Sequence, residues 1–410
     1  MAHALLNHLR EWADDPVDQK EIKNVFNEVI MAAVLHDVGH GPFSHSFERV
    51  LEKHQWAPTH EDWTTSLITH RKSDIRRALP KHGTNPARIA SVFAKEPMCA
   101  TNGLPHPYKQ IISSQIDVDR MDYLLRDSHS AGVAIGQFDA HYLIHSMVIV
   151  DHGDGKCPRT LGLTAKGVKA YEAFLWARQL MNRTVYFHHN IQVLEFLVER
   201  LFRLVMGDLS RFTKRPRLSP LIPPYFKRIG ALLRRRPTKE EVLDEGQDDY
   251  SGLTEDSAWM LIASIADISD GSEVQRLAMA IITRQIPRHF VIEKGKQGLL
   301  KQALLRGGFE EDRDFHVLDI RSTMYEGKLD KNVFVVARDG SIDEVASHSD
   351  TINAFRDRPE AESLLIVLNP QRSNDITKLG IAGQFIAEQR SEPRWATVVE
   401  PSATYVEKYS

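Results

Sequence analysis

Apolar side chains recur at helical spacing along most of the chain up to Gln285, and short β-rich runs replace them beyond Pro287. Leu5, Leu6 and Leu9 mark one face of a helix predicted over 2–12, and the chain opens inside it. Pro16 suits the first turn of a second helix. Along it Ile22, Val25, Phe26, Val29, Ile30 and Ala33 repeat until His36-Asp37. His45 to Leu51 reads as helix again. Thr59, with Asp62 three residues on, is a candidate N-cap for the next one. Ile89, Val92 and Phe93 predict a short helix within 84–96, and 97–107 reads as loop. Ile116, Met121, Leu124 and Leu125 stripe a further helix. Leu143–Val150 and Arg159–Leu163, parted by Asp151–Gly155, predict a hairpin. Helical spacing runs from Thr164 to about Met206, and two more helices fit between Leu253 and Gln285.

Between these blocks, 207–250 alternates proline with base, as in Arg215-Pro216-Arg217 and Arg234-Arg235-Arg236-Pro237. It reads as a boundary or linker region, with a rim for single-stranded nucleic acid as the less favoured alternative. In the tail, His289–Glu293, Phe315–Ile320, Val333–Ala337 and Leu364–Leu368 read as strands, and Asp339-Gly340 is a hairpin turn. The pattern predicts a mainly α protein: a helical domain over 1–287 and a smaller α+β C-terminal subdomain over 288–410.

Composition narrows the class. A chain of 410 residues is long enough for two or three domains, and 42% hydrophobic with 26% charged residues is ordinary for a globular protein. Lys and Arg (52) nearly balance Asp and Glu (55), which argues against a dedicated nucleic-acid coat. Cys99 and Cys157 are the only cysteines, so no disulfide framework exists and a cytoplasmic, reducing setting fits. No apolar run reaches membrane-spanning length, and the N-terminus lacks the regions of a secretion signal. The 19 histidines are the anomaly, and they cluster in the first half.

Their densest run is Leu35-His36-Asp37-Val38-Gly39-His40-Gly41-Pro42-Phe43-Ser44-His45-Ser46-Phe47-Glu48. Imidazole nitrogen and carboxylate oxygen together suit Mn, Fe, Zn or Ni. Gly39 and Gly41 let the backbone turn tightly. A helix end with solvated histidines is the bland alternative, and this density of ligand-type side chains speaks against it. The second cluster is Asp117-Val118-Asp119-Arg120-Met121-Asp122-Tyr123-Leu124-Leu125-Arg126-Asp127. On a helix Asp119, Tyr123 and Arg126 share a face. An exposed salt-bridged helix is the alternative, against which the apolar stripe argues.

The first run resembles the signature of the HD-domain metal-dependent phosphohydrolases. Its extension Pro42-Phe43-Ser44-His45 and the second cluster resemble the deoxynucleoside triphosphate triphosphohydrolase, dGTPase-like branch. The resemblance implies an HD-domain helical fold and a divalent ion (Mn, Mg, Fe, Zn or Ni) held by His36, Asp37 and Asp119. It implies proton and phosphate work for His40, His45 and His60, with Glu48 tuning His60. Arg120, Tyr123, Asp127, Arg178 and Tyr186 would meet phosphate, sugar and base. Where the branch carries a further His, this chain has Asn182. His188 and His189 read as helix-packing residues. The implied function is hydrolysis of dNTPs to deoxynucleoside and inorganic triphosphate by a homo-oligomer, with no membrane partner. Another HD phosphohydrolase activity, on phosphomonoesters, cyclic nucleotides or guanosine polyphosphates, is one alternative. A nucleotide-binding module with little turnover is the other. The family's first metal-ligand His, in an H-S-x-G-V run, has no counterpart among the residues before His36. The expectation is that it lies upstream of Met1. Substitution by His3 or His8, or weak catalysis, are the alternatives.

Overall fold

The computed structural model describes residues 1–388 except 14, 52–56, 94–102, 154–158, 233–236, 327–331, 358 and 379–381. Cys99, Cys157 and much of the expected 97–107 loop fall outside the described residues. The chain forms two compact units, Met1–Ile286 with Ser322–Pro359, and Pro287–Arg321 with Glu360–Ser410. The protein is mainly helical, with a smaller sheet-containing C-terminal region. No described helix is long and apolar enough to cross a membrane.

The first unit opens with α1 (Ala2–Trp12), whose Leu5, Leu6 and Leu9 are buried. α2 (Pro16–Leu35) starts where the Asp15 carboxylate accepts from the Val17 amide at 2.8 Å. α3 (His45–Leu51) and α4 (His60–Thr69) follow. At α4 Thr59 and Asp62 close a reciprocal capping box, as their spacing predicts. α5 (Val118–Ser130) is capped by Asp117, α6 (Val168–Met181) runs into a π-helical turn at Asn182–Tyr186, and α7 (His189–Gly207) resumes the α-helix. The predicted helical region from Thr164 is therefore broken at its middle.

The stretch read as a linker is largely helical. It holds α8 (Pro224–Leu232) and α9 (Lys239–Ser251), and Tyr225, Phe226 and Val242 are buried. A second capping box, Thr238 with Glu241, starts α9 beyond the arginine run. α10 (Glu255–Ala266) and α11 (Glu273–Thr283) pack as a pair.

The described strands are β1 (Met147–Asp151), β2 (Arg159–Thr164), β3 (His289–Ile292), β4 (Phe315–Thr323), β5 (Phe334–Val336), β6 (Ile342–Glu344), β7 (Pro359–Val367) and β8 (Ile386–Glu388). β1 begins later than the predicted Leu143, because the Asp139 carboxylate caps a helical turn over Ala140–Ile144. β1 and β2 pair antiparallel, Met147 opposite Leu163. β5 joins β2 in parallel, Gly162 opposite Phe334, and β6 closes the sheet through the turn at Gly340, whose φ is 84°. This pairing draws 322–359 into the first unit, where the sequence pattern placed it with the tail. Gln115 holds the returning segment. Its buried side-chain amide donates to the Glu326 carbonyl at 2.8 Å and accepts from the Glu326 amide at 2.9 Å.

The second unit has the order β4-β7-β3-β8. α12 (Gln297–Arg306) connects β3 to β4 and a short helix, Ser373–Lys378, precedes β8. That is the split βαβ, ferredoxin-like arrangement. Phe290, Ile292, Leu300, Leu304, Phe315 and Leu365 form its core.

Replacing Gln115 by Ala removes a buried amide that completes backbone pairing. The expected cost is about 1–3 kcal/mol of unfolding free energy, read from urea denaturation. An unchanged midpoint would mean that β2–β5 pairing alone secures the segment.

Candidate metal centre

His36 stands at the C-terminal end of α2, where the chain leaves the helix, and Asp37 follows it. The His36 Nδ1 lies 2.9 Å from the Ala33 carbonyl oxygen, to which its N–H donates. That fixes the tautomer and leaves Nε2 as a ligand atom. Nε2 lies 3.0 Å from Asp119 Oδ1, on the first turn of α5, and 3.3 Å from Asp37 Oδ2. It is buried, yet no atom among the described residues meets it in line for a hydrogen bond. The three ligand atoms lie within 4.8 Å of one another. The Asp119 carboxylate, then that of Asp37, pulls the His36 imidazole up to about 10. The site thus holds positive charge at one point between two oxygens and a nitrogen, the donor set of a divalent transition metal. His3 and His8 stand elsewhere: His3 meets Asn7 and Phe26, and His8 lies 3.1 Å from the Met147 carbonyl oxygen.

A second set adjoins the first through Asp37, whose Oδ1 is 3.5 Å from His40 Nε2. His40 stacks on His60 at 4.0 Å between ring centroids and 15° between planes, and His45 stands edge-on to both. Glu48, on α3, ties them together. Its Oε1 accepts from the His60 amide at 2.6 Å and from His60 Nδ1 at 2.9 Å, and its Oε2 lies 2.9 Å from His45 Nδ1. Burial alone would raise the Glu48 carboxyl, but the bonds from His45 and His60 outweigh it and hold the group well below the usual carboxylate range. Glu48 in turn raises His60 against the effect of burial. Burial, then the neighbouring His60, lowers His40. Two stacked imidazoles are thereby driven apart in basicity, the arrangement that sorts an acid from a base.

The strap between these groups packs hard against α4. The Gly39 amide donates to Thr64 Oγ1 at 3.0 Å, and a Cβ on Gly39 would overlap the His60 carbonyl oxygen and the Thr64 amide. Only glycine fits there.

The predicted substrate residues gather along α5, from Arg120 next to Asp119 to Tyr123 and Asp127, with Arg178 and Tyr186 facing them. Arg120 hydrogen-bonds the Ser114 carbonyl and sits 3.3 Å from Asp117, whose carboxyl burial pushes up to about 6 against the pull of Arg120. Arg178, on α6, is half-buried, and its guanidinium has no hydrogen bond or ion pair among the described residues. Burial and the nearby Arg120 lower its guanidinium. Tyr186 ends the π-turn and donates to Asp127 Oδ2 at 2.8 Å, and its ring meets Tyr123 edge-on at 5.9 Å. His188 caps α7, accepting from the Asn190 amide. Thr64, and Tyr250 on α9, touch the strap and carry no motif signal. The Thr238/Glu241 spacing was the one local clue to the helix that bears Tyr250.

Residues 4–127 match the HD domain and residues 138–212 an HD associated region. The uncharacterized protein YwfO of Bacillus subtilis is 36% identical over 180 residues, which are 42% of this chain and 36% of that protein. The deoxynucleoside triphosphate triphosphohydrolase SAMHD1 of Homo sapiens is 30% identical over 128 residues, 26% of this chain and 20% of that protein. The chain thus spans well under half the length of these curated relatives. The crystal structure of a phosphohydrolase from Bacteroides thetaiotaomicron superposes with a TM-score of 0.65 at 22% identity, covering 89% of this chain and 84% of that one. At that identity the likeness is one of fold.

Because His36 is protonated up to about 10 in the metal-free protein, an arriving ion must displace its proton. Titration of Mn²⁺ into the protein in two buffers of different ionisation heat should show release of about one proton per ion, and affinity should rise with pH through the neutral range. Heats independent of the buffer would mean that His36 is neutral before the ion arrives or is not one of its ligands.

Proposed function

We propose that this chain, which carries an HD domain and its associated region, is a metal-dependent phosphohydrolase that cleaves dNTPs to deoxynucleoside and inorganic triphosphate. The observation that carries the reading is the meeting, at Asp37, of a three-donor metal set with a stacked pair of imidazoles of opposite basicity. The local likeness to a dNTP triphosphohydrolase supports the substrate, as does the Arg178 guanidinium, which makes no ion pair among the described residues although the Asp117 carboxyl acts on it from nearby.

His36, Asp37 and Asp119 would hold the ion. When bound, it would supply Lewis acidity toward a phosphoryl oxygen and orient water. The rest falls to side chains. Water attacks the α-phosphorus, the bond to the sugar O5′ breaks, and the leaving oxygen takes up a proton. His60, raised by Glu48, is suited to give that proton, and His40, lowered by burial, to accept one from water. His45, on the other Glu48 oxygen, is the rival donor. Arg120 and Arg178 would neutralise the triphosphate oxygens as charge develops. Tyr123, Tyr186 and Asp127 would wall the sugar and base.

Asp119→Ala should abolish metal uptake and hydrolysis together, measured as bound Mn²⁺ and released inorganic triphosphate. Wild-type activity with that variant would refute the ligand assignment. Release of orthophosphate in place of triphosphate would favour another HD phosphohydrolase chemistry, and tight nucleotide binding without turnover would favour a sensing module.

His60→Ala and Glu48→Ala should each lower kcat by about 10²-fold or more, the scale of a lost general acid or base. KM should change far less. The double variant should fall short of the product of the two, since the pair acts as a unit. Full additivity in single-turnover hydrolysis, or a loss confined to KM, would make the pair structural.

A further inference from the structure

His40 and His45 lie on one strap, 39–45, whose backbone is not at rest. Phe43 and Ser44 have φ of 60° and 49°, in the left-handed region. Side chains other than glycine occupy it at a cost of about 1–2 kcal/mol per residue. Such a segment keeps its shape only where its surroundings impose it. Three helices distant in sequence do so here, α9 at one end and α10 with α7 at the other.

At one end, Tyr250 Oη on α9 donates to the Gly39 carbonyl oxygen at 2.6 Å. That peptide leads into His40. The Tyr250 ring also stacks on Trp63 at 4.0 Å and 5°, one turn beyond His60 on α4. Tyr225 packs edge-on against both rings. One buried side chain therefore touches the strap that bears His40 and the helix that bears His60. At the other end, the Phe43 ring sits against Trp259 of α10 at 5.2 Å and Phe202 of α7 at 5.9 Å. Trp259 is 39% exposed, so it covers Phe43 from the solvent side and is not itself a core residue. α9 has further grips on α4, independent of Tyr250. Lys239 Nζ pairs with Asp62 at 2.9 Å, and Asp244 lies 2.9 Å from His70 Nε2.

We propose that Tyr250 and Trp259 are positioning residues: they hold the strap at its two ends and so set the stacked geometry of His40 on His60. The inference deepens the phosphohydrolase reading and rests on it for its catalytic consequence. Neither side chain is among the donor, acid–base or substrate groups named above. Both act through the strap.

Two variants separate positioning from folding. Tyr250→Phe keeps the ring on Trp63 and deletes only the hydroxyl, leaving the buried Gly39 carbonyl without that donor. Trp259→Ala uncovers Phe43 by removing a side chain that is itself 39% exposed. The full chain, loaded with Mn²⁺, is compared with each variant by hydrogen exchange of the 39–45 amides, by bound Mn²⁺, and by kcat and KM on each dNTP. Exchange of the strap should quicken about tenfold or more in both variants while Mn²⁺ content stays at the wild-type level. kcat should fall on the order of 10-fold, the scale of lost supporting contacts around a metal site, with KM within about twofold, since uniform binding is untouched. Unchanged strap exchange in Tyr250→Phe would overturn the proposal, and so would faster exchange with kcat intact or a loss confined to KM. If the wild-type chain releases no triphosphate, the phosphohydrolase reading fails on its own, and the exchange of the strap still decides whether the two residues hold it.

Discussion

At Gly39 the backbone passes so near the first turn of α4 that no side chain can stand between them. Its amide donates to Thr64, and the Thr64 hydroxyl donates in turn to the His36 carbonyl at 3.2 Å. The end of α2 and the start of α4 are thus fastened through one glycine peptide. Everything chemical in the first unit hangs on that approach. His36 and Asp37 lie on one side of it and His40 on the other, and His60 begins the helix against which it presses. Glu48 then fixes the distance from the opposite direction, since it binds both the amide and the ring of His60 from α3. A looser crossing would separate the imidazoles and release Asp37 from its place between two donor sets.

The charge distribution follows the same geometry. Carboxylates from Asp37, Asp119 and Glu48 gather on the imidazole side, where they favour cations and protons. Guanidinium groups from Arg120 and Arg178 gather beside Tyr123, with the buried Asp117 carboxyl paired to Arg120 and acting on Arg178 without a direct ion pair among the described residues. The two regions adjoin along α5, because Asp119 and Arg120 are consecutive and Tyr123 stands one turn further on. Carboxylate and guanidinium thus stand side by side within one turn of α5. Low local dielectric strengthens each term relative to water.

Much of this was legible because it is local. The period of α2 pointed to His36, the Thr59/Asp62 spacing marked the start of α4, and the carboxylate run of α5 announced itself. Asp339-Gly340 gave the β5–β6 turn. The parts that were not legible depend on contacts across long separations. Nothing near Tyr250 says that its hydroxyl reaches Gly39. The proline and arginine density of 207–250 masked α8 and α9, because local propensity was set against buried aromatic packing and lost. Phe43 and Ser44 adopt a conformation that their residue types disfavour, so the strap shows only in tertiary context. β5 carries no sign that its other edge will pair with β2.

That last pairing makes the second unit discontinuous along the chain. Its ferredoxin-like strands come from either side of 322–359, and the loan to the first sheet is not returned until β7. As the polypeptide emerges during synthesis, β2 therefore waits as an unprotected edge until Phe334–Val336 is made, long after its hairpin partner β1 has formed. An open edge of this kind is a template for pairing with other chains. A fragment ended near residue 287 would carry every proposed ligand and acid–base group and still present that edge permanently. The half with the candidate metal centre and the tail cannot be exchanged as cassettes, and a recombination breakpoint at the visible boundary would yield an adhesive protein rather than a minimal one.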